Sequence, residues 1–407
     1  MRIPPVLPFV IPFAAALSAM LALPAAGPAA VAEAALFPIG YLEITGDHRY
    51  QDKRAYARIR IKPHHRPFPG ALLALRDSRI LGRAVKVRFS LEKAEAADAA
   101  GLVREVSRLH GEKGVRFFLI DAAAEVLGAV AKATAGLDLL LLNVSAPDDA
   151  LRGARCRSNL MHVIPSRAML TDAMAQYLVA RNWRDVLLLK GPLPADAALA
   201  RAFQASARRF GVRVIASRDF VPGNDPRERE KNNVALLTAE DGYDVVFIAD
   251  TDGEFGRTVP FQTHLPRPVV GTEGLIAGAW HWTWERHGAP QLNQRFEKLA
   301  KRRMEGADWA AWAAVKGVAE SVVRTQSTDG AAVAAYLRGG ALTLDGYKGN
   351  PSSFRPWDNQ LRQPILLHTA NAVAARAPIK GFLHPAENMD TLGYDKGDKR
   401  CRFEANK

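Results

Sequence analysis

The chain of 407 residues has only two cysteines, Cys156 and Cys401, and no CxxC pair. That removes the common structural zinc modules and dithiol redox sites. His64 and His65 are adjacent, so on an extended segment they point apart and make a poor metal pair. No phosphate loop, nucleophile elbow or Ser-His-Asp order is present, which makes an enzyme the weaker class and leaves no catalytic residues to name. Beyond the amino-terminal segment no stretch is long and apolar enough to span a bilayer. The basic excess, 55 Lys and Arg against 42 Asp and Glu, is not accompanied by a nucleic-acid motif. It suits an anionic surface or an anionic small solute.

What is present begins with "MRIPPVLPFVIPFAAALSAMLALPAAGPAAVAEA". One arginine precedes a long apolar run, and Ala30-Val31-Ala32 forms a small-residue cleavage site. This reads as a secretory signal peptide over residues 1–32, cleaved near Ala32, with Pro8 and Pro12 as irregularities. An uncleaved anchor is the alternative. Export to a periplasm is therefore expected. In that compartment two cysteines suggest one disulfide, Cys156–Cys401, with two free thiols as the alternative. The bond would tether the carboxy-terminal tail to the middle of the chain.

From Ile39 onward apolar runs alternate with amphipathic helical segments. "IGYLEI", "AVKVRFSLE", "VRFFLID" and "LDLLLLNVS" read as strands, and the segments between them as helices. A second series follows "HVIPSRAML", with strands at "RDVLLLKG", "VRVIASRDF", "YDVVFIAD" and "RPVVGTEG", and a helix at "REREKNNVALLTAEDG". Near-continuous apolar strands joined by helices are the pattern of parallel βαβ units. About 375 residues after the leader suit two such lobes better than one core. The expected class is α/β, with two doubly wound parallel-sheet lobes.

"AGAWHWTWERHGAPQ" places Trp280, Trp282 and Trp284 at every second position. On a strand the three rings share one face. They form either a core stripe or a wall for a flat aromatic ligand.

The order of elements resembles type I periplasmic solute-binding proteins, the branched-chain amino-acid receptor class of ABC importers. "HVIPSRAMLTDAMAQYLVARNWRDVLLL" looks like their first lobe crossing. "ALTLDGYKGNPSSFRPWDNQLRQPILL" looks like their late strand pair, with Leu344, Gly346, Gly349 and Phe354. The resemblance implies three crossings between lobes and a ligand cleft at the carboxy-terminal strand ends. It divides the chain into a first lobe of 33–161 with 282–340, a second lobe of 162–281 with 341–390, and a tail of 391–407. A narrower likeness lies in "SNLMHVIPSRAMLTDAMAQYLVARNW", "AWHWTWERHGAPQLNQRF", "DWAAWAAVKGVAE" and "SFRPWDNQLRQPILL". It is to the branch associated with pyrroloquinoline quinone-dependent alcohol dehydrogenase systems. That branch implies pyrroloquinoline quinone as bound ligand, not catalytic cofactor. The implied partners are ABC-transporter membrane subunits or a periplasmic quinoprotein dehydrogenase. A leucine-type amino-acid receptor is the alternative, and a quinone-linked accessory subunit a further one.

A flat tricarboxylate needs ring faces and cationic or N–H partners. The loop "TGDHRYQDKRAYARIRIKPHHRPFPG" offers Tyr50, Lys53, Arg54 and Arg66. Lys190 closes the strand "VLLLK", and Asn143 and Ser145 end a first-lobe strand. One of the three tryptophans is expected to touch ligand. Asp250, in "IADTDGEFG", sits poorly beside a trianion. In amino-acid receptors an acid at this place would hold the ammonium group, and a salt bridge or helix start is the plainer account.

Overall fold

The computed structural model describes residues 1–2, 34–52, 64–223 and 225–403. The expected cleavage site, Lys53 and Arg54 lie outside the described residues. Contacts separate Met1–Glu33 from a second unit, Ala34–Lys407, whose fold follows.

In the first lobe β1 (Ala35–Ile44) is followed by α1 (Phe68–Asp77) and α2 (Arg79–Ala84). Then come β2 (Val87–Ala96), α3 (Ala99–Lys113), β3 (Phe117–Asp121), α4 (Ala124–Ala133), β4 (Leu140–Asn143) and β5 (Leu160–His162). All five strands are parallel, in the order β2-β1-β3-β4-β5. Successive residues point to opposite faces, and both faces are apolar. Phe117 and Leu119 join one core cluster, Phe118 and Ile120 another. That double burial is why these strands read as unbroken apolar runs.

The second lobe opens with α5 (Arg167–Ala180), capped by the Ser166 hydroxyl, which accepts from Met169 N. It continues with β6 (Asp185–Lys190), α6 (Pro194–Phe210), β7 (Arg213–Asp219), α7 (Arg229–Asn232), α8 (Val234–Leu237), β8 (Val245–Ala249), β9 (Val269–Gly271) and β10 (Leu275–Gly278). The chain then returns to the first lobe with α9 (Ala289–Ala300), α10 (Gly306–Thr325) and α11 (Gly330–Arg338). A two-residue ladder follows, β11 (Leu344–Asp345) with β12 (Pro351–Ser352). Finally β13 (Ile365–His368) and β14 (Val373–Ala377) complete the second sheet.

Three expectations change. The second sheet is mixed, in the order β14-β13-β10-β9-β8-β6-β7, with β13 and β14 antiparallel to their neighbours. The helix expected across "REREKNNVALLTAEDG" breaks at Asn233, whose side chain caps α8 by accepting from Leu236 N. The lobe boundary expected at 341 comes later, because Leu342, Leu344, Phe354 and Leu361 lie in the first-lobe core. Return to the second sheet begins at Ile365.

Three segments join the lobes: 163–166, 279–288 and 353–364. Buried side chains bind them together. Lys348 donates to Ala279 O (2.8 Å), Gln363 Oε1 (2.9 Å) and Pro364 O (3.0 Å). Gln363 donates in turn to Val163 O at 2.6 Å. Gln360 donates to His162 O and Ile164 O and accepts from Arg152 Nε.

The tail folds back over both lobes. Cys156 and Cys401 form the expected disulfide, with Cα atoms 5.7 Å apart. Buried Arg355 and neighbouring Arg362 both donate to Asp390. Asp172 accepts from Ser206 Oγ (2.6 Å), Gly393 N (2.7 Å) and Arg209 Nη1 (2.8 Å). Burial pushes the Asp172 carboxyl up to about 6, against the pull of Arg209.

Two predictions arise from the tail. Replacing both cysteines by serine opens a closed loop of 245 residues in sequence separation, so stability falls by at most about 5 kcal/mol in the chain-entropy account. Urea unfolding of the double variant against oxidised protein measures it, and unchanged midpoints would contradict it. The second concerns Asp172. Its folded pKa is raised, so its contribution is full below the ordinary aspartate value and is lost as pH rises through about 6. The melting-temperature advantage of wild type over Asp172→Asn should therefore shrink between pH 4 and pH 7. An advantage that grows with pH would reverse the assignment.

Candidate functional site

The carboxy-terminal ends of parallel strands are the usual place for a ligand in open α/β sheets. In the first lobe that edge holds a dense charge network. Tyr50 donates to Asp121 Oδ1 at 2.7 Å. Arg49 donates to both oxygens of Asp47, to Asp121 Oδ1 (3.1 Å) and to Ser145 Oγ (3.1 Å). Arg66 donates to Ile44 O and lies 3.6 Å from Glu43 and 3.7 Å from Asp121. Its guanidinium also covers the Tyr50 ring, 4.8 Å from the centroid. Burial, reinforced by Asp121, pushes the Tyr50 phenol well up, so it remains a donor.

This network is not fully satisfied. Among the described residues Tyr41 Oη, Glu43 Oε2, Arg66 Nη1 and Asp121 Oδ2 are buried without a hydrogen-bond partner, the Arg66 atom meeting the two carboxylate oxygens only at ion-pair distance. Unpaired buried polar atoms are costly and uncommon, and they concentrate at functional places. Here four of them share the ends of β1 and β3. Asn143 has a different role. It is fully buried, donates to Ala146 O, and accepts from Ser145 N and Ala146 N. It shapes the turn that presents Ser145, and its amide is occupied within the lobe.

On the second lobe Lys190 does end β6, but it pairs with Asp219 on β7 at 3.0 Å. Asp250 accepts from Phe255 N (2.9 Å) and Gly256 N (2.6 Å), at the start of a short 3-10 helix. The sequence reading passed over Glu273. It sits in the return between β9 and β10, where Gly271 (φ 113°) and Gly274 (φ 71°) take left-handed conformations. A Cβ on either would lie 2.3 Å from Ile248 O or 2.1 Å from Val269 O, so only glycine allows the chain to double back here. Burial, then Asp250, raises the Glu273 carboxyl. The readable signal was "GTEG" directly after a buried strand.

The tryptophan row is not a one-faced strand. β10 ends at Gly278 and the chain turns, with Trp284 N donating to His281 O. Trp280 (3% exposed) stacks on Trp309 and donates to Asn293 Oδ1. Trp284 (8% exposed) donates to Tyr347 O. Both are core residues of the second crossing and are withdrawn as ligand contacts, because the turn rotates alternate side chains off a common face. Trp282 alone of the three is partly exposed. The Arg303 guanidinium covers it at 3.4 Å, and the neighbouring His281 ring stacks on His368 at 4.0 Å. His368 and Arg303 were missed because helix and strand periodicity gives no hint that they meet at a crossing. Among the described residues no group of three His, Cys, Asp or Glu side chains is placed to hold a metal.

A family model described as periplasmic binding protein matches residues 70–259. Solved structures align over nearly the whole chain. One is a branched-chain amino-acid ABC transporter periplasmic ligand-binding protein from Burkholderia xenovorans (12% identity, 84% of this chain, 95% of that chain, TM-score 0.66). The fold is that of a type I periplasmic binding protein. A substrate-binding protein from Desulfitobacterium hafniense in complex with Leu has the same fold (16% identity, 83% and 99% coverage, TM-score 0.62). So does a solute-binding protein from Rhodopseudomonas palustris in complex with 3,4-dihydroxybenzoic acid (11% identity, 84% and 94% coverage, TM-score 0.60). No curated protein matches the chain. In this binding-protein fold the site described above occupies both lobe edges and the second crossing.

The three tryptophans should separate on substitution by alanine. Trp280→Ala and Trp284→Ala each remove a buried ring and should cost about 3–5 kcal/mol. Trp282→Ala loses mainly its contact with Arg303, about 1 kcal/mol. Denaturant midpoints measure the order, and an equal loss at all three positions would contradict it.

Proposed function

We propose that this chain is an exported solute-binding protein that captures one small solute between its lobes and turns nothing over. The observation that carries this reading is the convergence of buried Tyr41, Glu43, Arg66 and Asp121 at the first-lobe strand ends, each with a polar atom that makes no hydrogen bond among the described residues, within a fold used by substrate-binding proteins of ABC transporters. The periplasm is its place and transporter membrane subunits are its partners, in line with those proteins.

The finer reading is a flat, carboxylate-bearing solute, with pyrroloquinoline quinone as the specific member. Support comes from the resemblance of the sequence to the quinoprotein-associated branch. It comes also from the cluster of Trp282, His281 and His368 rings beside Arg303. The solute-binding protein of this fold in complex with 3,4-dihydroxybenzoic acid lends support to an aromatic acid as ligand. Delivery to a periplasmic quinoprotein dehydrogenase is the matching use, beside uptake. Arg49, Arg66 and Lys190 already meet carboxylates of their own lobes. A trianion would therefore draw on Arg303, on backbone N–H groups, and on Lys53 and Arg54. A second reading, an amino acid, is favoured by Glu273, a half-buried carboxyl at the second-lobe edge suited to an ammonium group.

Titration of purified protein with pyrroloquinoline quinone, 3,4-dihydroxybenzoate and leucine, followed by tryptophan fluorescence, separates these readings. The quinone should bind one per chain, weaken as salt rises, and lose at least about tenfold in affinity in Trp282→Ala, the equivalent of 1.4 kcal/mol. Leucine binding that disappears in Glu273→Gln, with no response to the quinone, would establish the amino-acid reading instead. Steady product formation from any of the three would remove the binding-protein reading altogether.

A further inference from the structure

The carboxy-terminal tail is held by three separate parts of the molecule. On the second lobe, Gly393 N donates to Asp172 of α5 at 2.7 Å, and Arg209 of α6 donates to Gly393 O at 2.8 Å. Leu392 is fully buried in that lobe's core. Gly393 takes a φ of 82°, and a Cβ there would lie 2.8 Å from Met169 Cγ, so the tail lies directly on α5. On the third crossing, buried Arg355 turns to the tail. It donates to Asp390 Oδ1 (2.9 Å), Met389 O (2.8 Å) and Leu392 O (2.7 Å). Trp357 of the same crossing donates to Tyr394 O at 3.1 Å. On the first lobe the hold is covalent, through Cys156 in the connection between β4 and β5.

Arg355 makes the crossing depend on the tail. A guanidinium at that depth is tolerable only while its N–H groups are answered, and the tail supplies the acceptors. Asp358, on the crossing itself, lies 4.0 Å from Arg355 Nη1, at ion-pair distance only. The same crossing is laced to the end of β5: His162 N donates to Asn359 O (2.9 Å) and Leu361 N to His162 O (2.8 Å). A tail that moved away would strand the Arg355 charge or admit water to the crossing. The stretch from Gly393 to Cys401 is what connects the second-lobe hold to the first-lobe hold.

We propose that the tail is a redox-released strap, a fourth link between the lobes that holds the third crossing in place only while Cys156 and Cys401 are joined. Cys401 is partly exposed and lines a concavity of about 250 Å³ with Trp357 and Tyr394, so a thiol reagent reaches the bond from the surface. A dithiol is the reductant. One of its thiolates bonds to a cysteine sulfur as the S–S bond breaks, and the other cysteine leaves as a thiolate and takes up a proton. The second thiol of the reagent then displaces the first cysteine, and the reagent departs as a cyclic disulfide. Two electrons pass from the reagent to the protein, which gains two thiols. The released end then peels back toward Gly393, and the crossing opens locally. This device concerns the joint between the lobes and stands whichever solute the cleft takes.

Amide hydrogen exchange of the full chain, read by mass spectrometry, tests it. Oxidised protein is compared with protein reduced by dithiothreitol, its two thiols verified by alkylation, and with Cys156→Ser/Cys401→Ser. In both opened forms, peptides covering 353–364 and 389–394 should exchange at least about tenfold faster. A Gly-Ser-Gly-Ser insertion after Lys399 separates a strap from a general staple. It keeps the disulfide and adds about 13 Å of extended chain, yet barely changes the closure entropy of a loop whose ends are 245 residues apart. The insertion should therefore speed the same peptides while those of β8 keep their wild-type rate. The proposal fails if the 353–364 peptide exchanges equally in oxidised and reduced protein, or if only residues beyond Gly393 change. It fails also if the insertion variant matches oxidised wild type, or if β8 in that variant accelerates as much as the crossing.

Discussion

A buried ammonium sets the joint between the lobes. Lys348 is fully enclosed, forms no ion pair among the described residues, and sits 3.5 Å from the centre of the Trp309 ring. A charge in such a place is tolerable only when every donor is answered. Its three donors meet three oxygens, from the second crossing (Ala279) and the third (Gln363 and Pro364). Burial pushes its pKa well down, while three acceptors within 3.0 Å require three N–H groups and so hold the proton. Because Gln363 also reaches Val163 on the first crossing, all three links are fixed relative to one another. Lobe movement that separated them would strand the charge. Any hinge motion therefore has to use the flanking turns, such as the one closed by His281 and Trp284.

That joint explains the tryptophans. Trp309 supplies the face under the ammonium and donates to Gly346 O, in the loop that carries Lys348. Trp280 stacks on Trp309 from the second crossing. Asn293 accepts from Trp280 and donates to Trp282 O, so α9 holds the turn at both ends. The aromatic richness of this region is mostly the packing of a joint, and Trp282 is the part of it left at the surface.

Charge follows a similar economy. The chain is strongly basic as a whole, yet at the strand ends its cations are matched locally: Arg49 with Asp47 and Asp121, Arg66 with Glu43 and Asp121, Lys93 with Glu43, Lys190 with Asp219. The net charge can steer a solute from a distance, but it does not by itself provide contact cations in the cleft.

Sequence alone determined the two α/β series, because strands buried on both faces must be apolar throughout and connecting helices must carry one apolar side. It pointed to the pairing of Cys156 with Cys401, the one disulfide that two cysteines can make, with two free thiols as the alternative. It also pointed to the loop and strand ends where Tyr50, Arg66, Ser145 and Lys190 stand. Tertiary structure decided everything that depends on direction. Alternation in "WHWTW" promised one face, but a turn after Gly278 sends Trp280 and Trp284 inward. Lys348, in an unremarkable "YKGN", is the centre of the joint only because three distant segments converge on it. His368 and Arg303 came to notice only in space. Periodicity reports which side of an element is buried; it is silent on which elements meet, and the pairing of every charge near the cleft was decided there.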